Sequence, residues 1–379
     1  MRIPLSIPVL EGNERAYLND CIDSGFVSSV GPFVTRFEEA FANLIGRSHA
    51  IACSSGTAAL HVALRVAGVQ QRDVVPVSDF TFIASINAIK YCRAQPLLVD
   101  SEPLSWNLDG DRLLQYFKTE ASRGRPLPSV IEAVHILGVP FDHQPLSEIR
   151  ETYAVTIVED AAESLGASIR EKMPVGAFGD LGCFSFNGNK MITAGGGGMI
   201  VCDDPQLAER ARLLTTQAKA PGPAYVHEEV GYNYRMTNVA AAIGLAQLEQ
   251  LDHFLASRAR IYDRYRTALG SEETLAFPSP PPGATSSHWM CSFSARTQEL
   301  RDEIISNLDR AGIDSRPVWL PAHCQTPYRS ARRLGRGTCE VLSSTSLSVP
   351  SSVNLGIKEQ DRVIDVIRNS IERSGRQKK

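Results

Sequence analysis

The chain has 379 residues, 39 basic and 42 acidic side chains for a formal charge of −3, and is 43% apolar and 21% charged. That balance suits two or three compact units with real cores, at roughly 150 residues per unit, and excludes disorder, collagen and coiled coil. Only a short basic end, Arg373 to Lys379, breaks the even charge, so nucleic acid is not an expected partner.

No run approaches the ~18 uninterrupted apolar residues of a membrane helix. The eight cysteines are scattered, with no CxxC pair and no secretory signal ahead of them. No membrane partner is expected, and a cytoplasmic location with reduced thiols is.

From about residue 49 to 202 short apolar runs alternate with helix-like runs, the pattern of a mostly parallel sheet covered by helices. Strands are predicted at His49–Cys53, Asp73–Val77, Pro96–Val99, Ser129–Val134, Val155–Val158, Cys183–Phe186 and Met199–Cys202. Between the first two, Ala58–Ala67 is apolar on most sides, as a helix buried against a sheet is. Ser54, Ser55 and Gly56 signal its start, and N–H groups at such a start bind phosphate. A plain helix cap explains the same residues.

Further along, TIVEDAAE (156–163) puts acids directly after a β-branched strand, where open α/β sheets place ligands. Asp160 can keep a heteroaromatic nitrogen protonated there, or cap a helix; Glu163 fits the capping-box position. Lys190 follows an apolar strand and precedes the run Gly195–Gly198. Glycines let backbone approach a bulky ligand, and a partly desolvated lysine condenses with aldehydes. The alternative is a surface lysine beside a flexible hairpin.

Apolar residues then recur at helical spacing from Thr237 to about Leu269, predicting one helix of ~30 residues, long enough to bridge two units. It ends at Gly270, and FPSPPPG (277–283) forces an irregular segment. Helices are predicted over Leu300–Ala311 and Glu359–Glu372 in a smaller unit beyond. The division is a large unit, 1–250, and a small carboxyl-terminal α/β unit, 251–379.

Lysine, acid and phosphate cradle on one α/β sheet describe a pyridoxal phosphate site, with no metal expected. At SGFVSSVGPFVTRFEEAFA (24–42), SSGTAALHVAL (54–64), DFTFIASINAI (79–89), VEDAAESLGA (158–167), FGDLGCFSFNGNKMITAGGGGMIVCDD (178–204) and GYNYRMTNVAAAIGLAQLEQL (231–251), the sequence resembles the sugar aminotransferases of the DegT/DnrJ/EryC1/StrS group. The resemblance covers about residues 5–370. It implies the fold type I architecture of pyridoxal phosphate enzymes, a large domain with a mixed, mostly parallel sheet plus a smaller α/β domain.

Residue by residue, the resemblance implies that Lys190 forms the Schiff base and carries the proton. Asp160 pairs with the pyridine nitrogen, Gly56, Thr57, Ala58 and Ser185 hold the phosphate, Phe82 stacks on the ring, and Glu163 sits near the ring hydroxyl. Asn233 and Arg235 reach across a homodimer interface into the neighbour's site; an internal salt bridge or turn is their alternative. His323, in a segment like the family's H-x-Q-x-x-Y, contacts the sugar or its diphosphate unless it is structural. Ser28, Ser29 and Gly31 border the substrate, and His135 matches a histidine beside the cofactor cleft.

SLSVPSSVNLGIKEQD (346–361) is similar to the branch that makes bacillosamine, legionaminic acid or perosamine precursors for cell-surface glycans. It implies transfer from L-glutamate to C4 of a UDP- or GDP-linked 4-keto-6-deoxy sugar. Ser78-Asp79 and the all-glycine run 195–198 depart from many relatives. The alternatives are 3-keto-sugar amination, a sugar dehydratase, which would carry histidine in place of Lys190, and a cofactor-binding regulator, for which no DNA-binding appendage is visible.

Overall fold

The computed structural model describes residues 2–170, 172–335 and 337–376; residues 377–379 of the basic end lie outside them. Two helices, α1 (Glu14–Ser24) and α2 (Pro32–Ile45), lead into β1 (His49–Cys53) and α3 (Gly56–Val66). Strand and helix then alternate through β2 (Val74–Ser78), α4 (Ile83–Tyr91), β3 (Gln95–Val99), α5 (Gly110–Ser122), β4 (Val130–Val134), α6 (His143–Tyr153) and β5 (Thr156–Asp160). A hairpin of β6 (Ser168–Arg170) and β7 (Met173–Pro174) precedes β8 (Leu181–Ser185) and β9 (Gly198–Cys202), followed by α7 (Pro205–Thr215), α8 (Asn238–Leu248) and α9 (Leu251–Leu269). Beyond lie β10 (Leu275–Ala276), β11 (Cys291–Ala295), α10 (Gln298–Arg310), β12 (Arg316–Pro317), β13 (Arg332–Leu334), α11 (Thr338–Thr345), β14 (Ser346–Val349) and α12 (Ile357–Arg376).

All seven expected strands are present, shifted by at most two residues at an end. They form one layer. β4, β5 and β8 are parallel neighbours, and β9 runs antiparallel between β8 and β1. A parallel trio, β13-β3-β2, continues the layer, with β2 lying against β4. Strands such as VIEAV (130–134) are buried throughout, as strands covered by helices on both faces are.

A second, antiparallel sheet, β10-β11-β14-β12, packs with α9, α10 and α12. Its core holds Ile261, Tyr265, Phe293, Ile304, Leu347 and Ile367. The two cores do not divide cleanly at 250/251. Ile3 lies in the second core and bridges Ile313, whereas β13 returns to the edge of the large sheet.

The single long helix is not formed: α8 and α9 are separate, broken at Glu249–Gln250. The apolar period runs through the break. What interrupts it is polar: Gln247 and Gln250 both donate side-chain hydrogen bonds to Glu14, and Gln247 donates a second to the Val9 carbonyl. The amino-terminal segment is thus tied to the junction. α9 still bridges the cores, with Leu251 and Phe254 in the large one and Ile261, Tyr265 and Leu269 in the small one. Among the described residues, no helix is long and apolar enough to cross a membrane, and all eight cysteines are free.

Candidate active site

Asp160 ends β5, in register with Val134 on β4 and Cys183 on β8, at the carboxyl edge of parallel strands where connections diverge and leave a crevice. No helix follows; residues 161–166 are turns, so neither Asp160 nor Glu163 is a helix cap. Asp160 is buried and accepts hydrogen bonds from Ser85 Oγ at 2.8 Å and the Ala162 N–H at 3.1 Å. Burial pushes its pKa up, only partly offset by Ser85, the Ala162 N–H and the Lys190 charge. A carboxylate in that position favours a cationic partner from the pocket.

Its neighbour on the strand, Glu159, points to the opposite face and is fully satisfied. It receives the N–H groups of Gly176, Phe178 and Gly179, and lies 2.8 Å from His135 Nε2. Burial alone would raise Glu159; His135 and the N–H donors hold it below the usual carboxylate range. His135 is therefore committed. The Phe141 N–H donates to its Nδ1, leaving Nε2 to donate to Glu159, and the ring stacks on Phe141 at 4.2 Å. It braces the sheet behind Asp160 rather than facing the cavity.

Lys190 sits in the connection between β8 and β9, its side chain 12% exposed, with Nζ 3.4 Å from Glu163 Oε1. Glu163 also accepts the Leu137 N–H at 3.0 Å. Burial raises the Glu163 pKa, and the nearby Lys190 charge opposes that rise. The other face of the ammonium group lies over the Trp289 ring, 4.2 Å from its centroid.

The start of α3 completes the cavity. Ser55 is its N-cap, with Oγ accepting the Ala58 N–H at 3.0 Å. The Ala58 N–H, expected to hold phosphate, is thus engaged by Ser55, and its side chain is buried. The Gly56 and Thr57 N–H groups have no intrahelical acceptor and are the ones left to bind an anion. A Cβ at Gly56 would lie 2.7 Å from Ser185 Cβ, so glycine is what lets the helix start lie against the end of β8. Gly198 has a similar reason: its Cβ would lie 2.5 Å from the Ser55 carbonyl oxygen. This end of the glycine run closes β9 onto the cradle, and Gly196 and Gly197 face the cavity.

Gly56, Thr57, Phe82, Asp160, Glu163, Ser185 and Lys190 thus line one cavity of about 290 Å³. Phe82, just before α4, is 50% exposed rather than a core aromatic. These residues fit pyridoxal phosphate: two unpaired N–H donors and a hydroxyl at one wall, a buried carboxylate in want of a cation at another, and an amine between.

Other expected residues lie elsewhere. Asn233 and Arg235 are exposed on an extended stretch beside β1 and α7, held by the Ser54 N–H to the Tyr234 carbonyl and a bridge between Thr216 and Asn233. Arg235 lines a separate depression with Arg212 and Pro221. Half-buried Ser29 lies in the α1–α2 connection, which Asn238 secures through the Phe26 and Ser28 carbonyls.

His323 does not face the cavity. Its Nδ1 lies 2.6 Å from Asp79 Oδ2, and its N–H donates to Asp79 Oδ1 at 3.0 Å. Arg333 joins Asp79 and Glu340 around it. Asp79, out of pattern in the sequence, anchors His323 here. Ser85, Asn187 and Trp289 were not singled out by sequence reasoning. The first two lie within recognised motifs, whereas Trp289, about a hundred residues downstream of Lys190, carries no local signal.

Comparison with known proteins supplies the family. The model of the DegT/DnrJ/EryC1/StrS aminotransferase family matches residues 8–368. The chain is 41% identical over 370 residues to a GDP-perosamine synthase of Caulobacter vibrioides, covering 96% of each. It is 38% identical to EpsN of Bacillus subtilis, whose name describes a pyridoxal phosphate-dependent aminotransferase, covering 97% of this chain and 95% of that one. Among solved structures, a DegT DnrJ EryC1 StrS aminotransferase from Brucella abortus superposes with a TM-score of 0.88 at 31% identity, covering 94% of this chain and 95% of the other. The chain belongs to the DegT/DnrJ/EryC1/StrS aminotransferase family and is a pyridoxal phosphate-dependent transaminase.

Proposed function

We propose that this transaminase moves the amino group of L-glutamate onto C4 of a nucleotide-linked 4-keto-6-deoxy sugar, in the cytoplasm, as a homodimer with shared sites. The observation that carries the reading is the convergence of Lys190 Nζ, the Asp160 carboxylate and the first N–H groups of α3 on one cavity. The acceptor is narrowed by relatives named GDP-perosamine synthase, at 41%, 38% and 36% identity, which favour a GDP-linked sugar.

Pyridoxal phosphate, when bound, supplies an electron sink for charge developing at the substrate carbon. The chain supplies the rest. Lys190 Nζ takes up and releases the migrating proton, with Glu163 beside it fixing its direction. Asp160 keeps positive charge favourable at the buried end of the cavity. Gly56, Thr57 and Ser185 bind the phosphate, and Phe82 limits movement of the ring.

The dimer is supported by exposed apolar residues that a monomer rarely leaves in numbers: Phe26, Val27 and Val30 before α2, and Tyr225, Val226 and Val230 before the Asn233–Arg235 stretch. Asn233 and Arg235, outside their own chain's cavity, are free to serve a neighbour's.

The test is a mass-spectrometric screen of 4-keto and 3-keto UDP- and GDP-sugars with glutamate. Amination of a GDP-linked 4-keto sugar is expected; amination of none of them would overturn the reading.

A further inference from the structure

We propose that Trp289 is a positioning residue for Lys190, its indole face holding the ammonium form of the amine in place beside Glu163 during turnover. The proposal rests on Lys190 as the proton-carrying amine. A cation within about 6 Å of an aromatic centroid is attracted by the ring's quadrupole, most strongly for indole and most strongly when desolvated. Here the separation is 4.2 Å and Trp289 is buried.

Trp289 is held by one contact at its ring and by two along its backbone. Its Nε1–H donates to the Asn189 carbonyl at 2.7 Å, so the indole is tied to the same turn that carries the lysine. The Trp289 carbonyl accepts from Arg258 Nη1 at 2.7 Å, on α9, the helix that spans both cores. The preceding residue, His288, has φ +52° and stacks on Tyr262 at 4.1 Å, which sets the chain direction into Trp289. A tryptophan serving only as core filler needs none of this alignment with a lysine.

The chemistry gives the contact a purpose. The charged groups facing Nζ are the two acids, Glu163 at 3.4 Å and Asp160, whose charge is coupled to that of Lys190. Carboxylates attract an ammonium group but also compete for its proton. The indole face attracts it and has no basic site: with pyridoxal phosphate bound to hold the electron pair of the broken C–H bond, Nζ would carry the proton as an ammonium group over the ring and return it to carbon as a new C–H bond. No electron or further group is exchanged with the ring.

The test compares wild type with Trp289→Phe and Trp289→Leu. In cofactor-free protein, acetylation of Lys190 by acetic anhydride near neutral pH is followed by peptide mass spectrometry, with exposed Lys90 as internal standard. Loss of the aromatic face should speed Lys190 labelling about three- to tenfold in Trp289→Leu, with a less than about twofold change in Trp289→Phe. In loaded enzyme, Trp289→Leu should lower kcat about tenfold with KM for glutamate unchanged and a larger primary isotope effect with α-deuterated glutamate. Should the leucine variant fail to fold, Trp289→Met carries the same expectations. Wild-type labelling in the leucine or methionine variant, or a phenylalanine variant as impaired as leucine, would overturn the proposal. Failure of the substrate assignment would leave the labelling result untouched, which separates the two readings.

Discussion

Asp160 and Glu159 are adjacent on one strand, both buried, yet their pKa values move in opposite directions. Glu159 has donors enough to remain ionised; Asp160 has two, and burial prevails. A group whose folded pKa is raised stabilises the fold below its unfolded value near ~4 and loses that contribution as pH rises through the folded value. In cofactor-free protein, Asp160→Asn should therefore melt higher than wild type at neutral pH, with the difference shrinking toward acid. In loaded enzyme the same change should lower turnover about 10²–10³-fold. A variant that melts lower at neutral pH and turns over normally would contradict the role given to this carboxylate.

α3 shows how an element serves the site, and where sequence stops informing. Its start was legible from Ser54, Ser55 and Gly56, because capping is a local matter of one side chain and one N–H. Its buried face includes His61, packed against Tyr232 and Tyr91 with neither ring nitrogen hydrogen-bonded. Burial pushes that imidazole down to about 4. The unfolded chain, titrating near ~6.5, binds the proton first, so stability is fully present above that value and is lost as pH falls toward 4. Melting temperature should drop across that window in wild type and drop less in His61→Phe; parallel curves would contradict this.

The seven strands were equally legible, because their apolar runs are short and bounded. The α8–α9 break, the Asp79–His323 pair and the Lys190–Trp289 contact were not. Each depends on side chains from distant parts of the chain, Glu14 on Gln250, Asp79 on His323, and Trp289 on Lys190, and no local period or motif encodes such meetings.

At the scale of the whole molecule, Lys190 and the acids come from the large sheet, Trp289 enters from the segment leading into the small sheet, and Arg235 is turned outward. The most direct test of a lysine-centred transaminase with shared sites is glutamate-dependent amination of a keto-sugar by Lys190→Ala, by Arg235→Ala, and by the two refolded together. The expected result is no turnover with Lys190→Ala alone, little with Arg235→Ala alone, and about a quarter of wild-type activity in the mixture, since half of randomly assembled dimers hold one intact site of two. Turnover by Lys190→Ala alone would contradict the account.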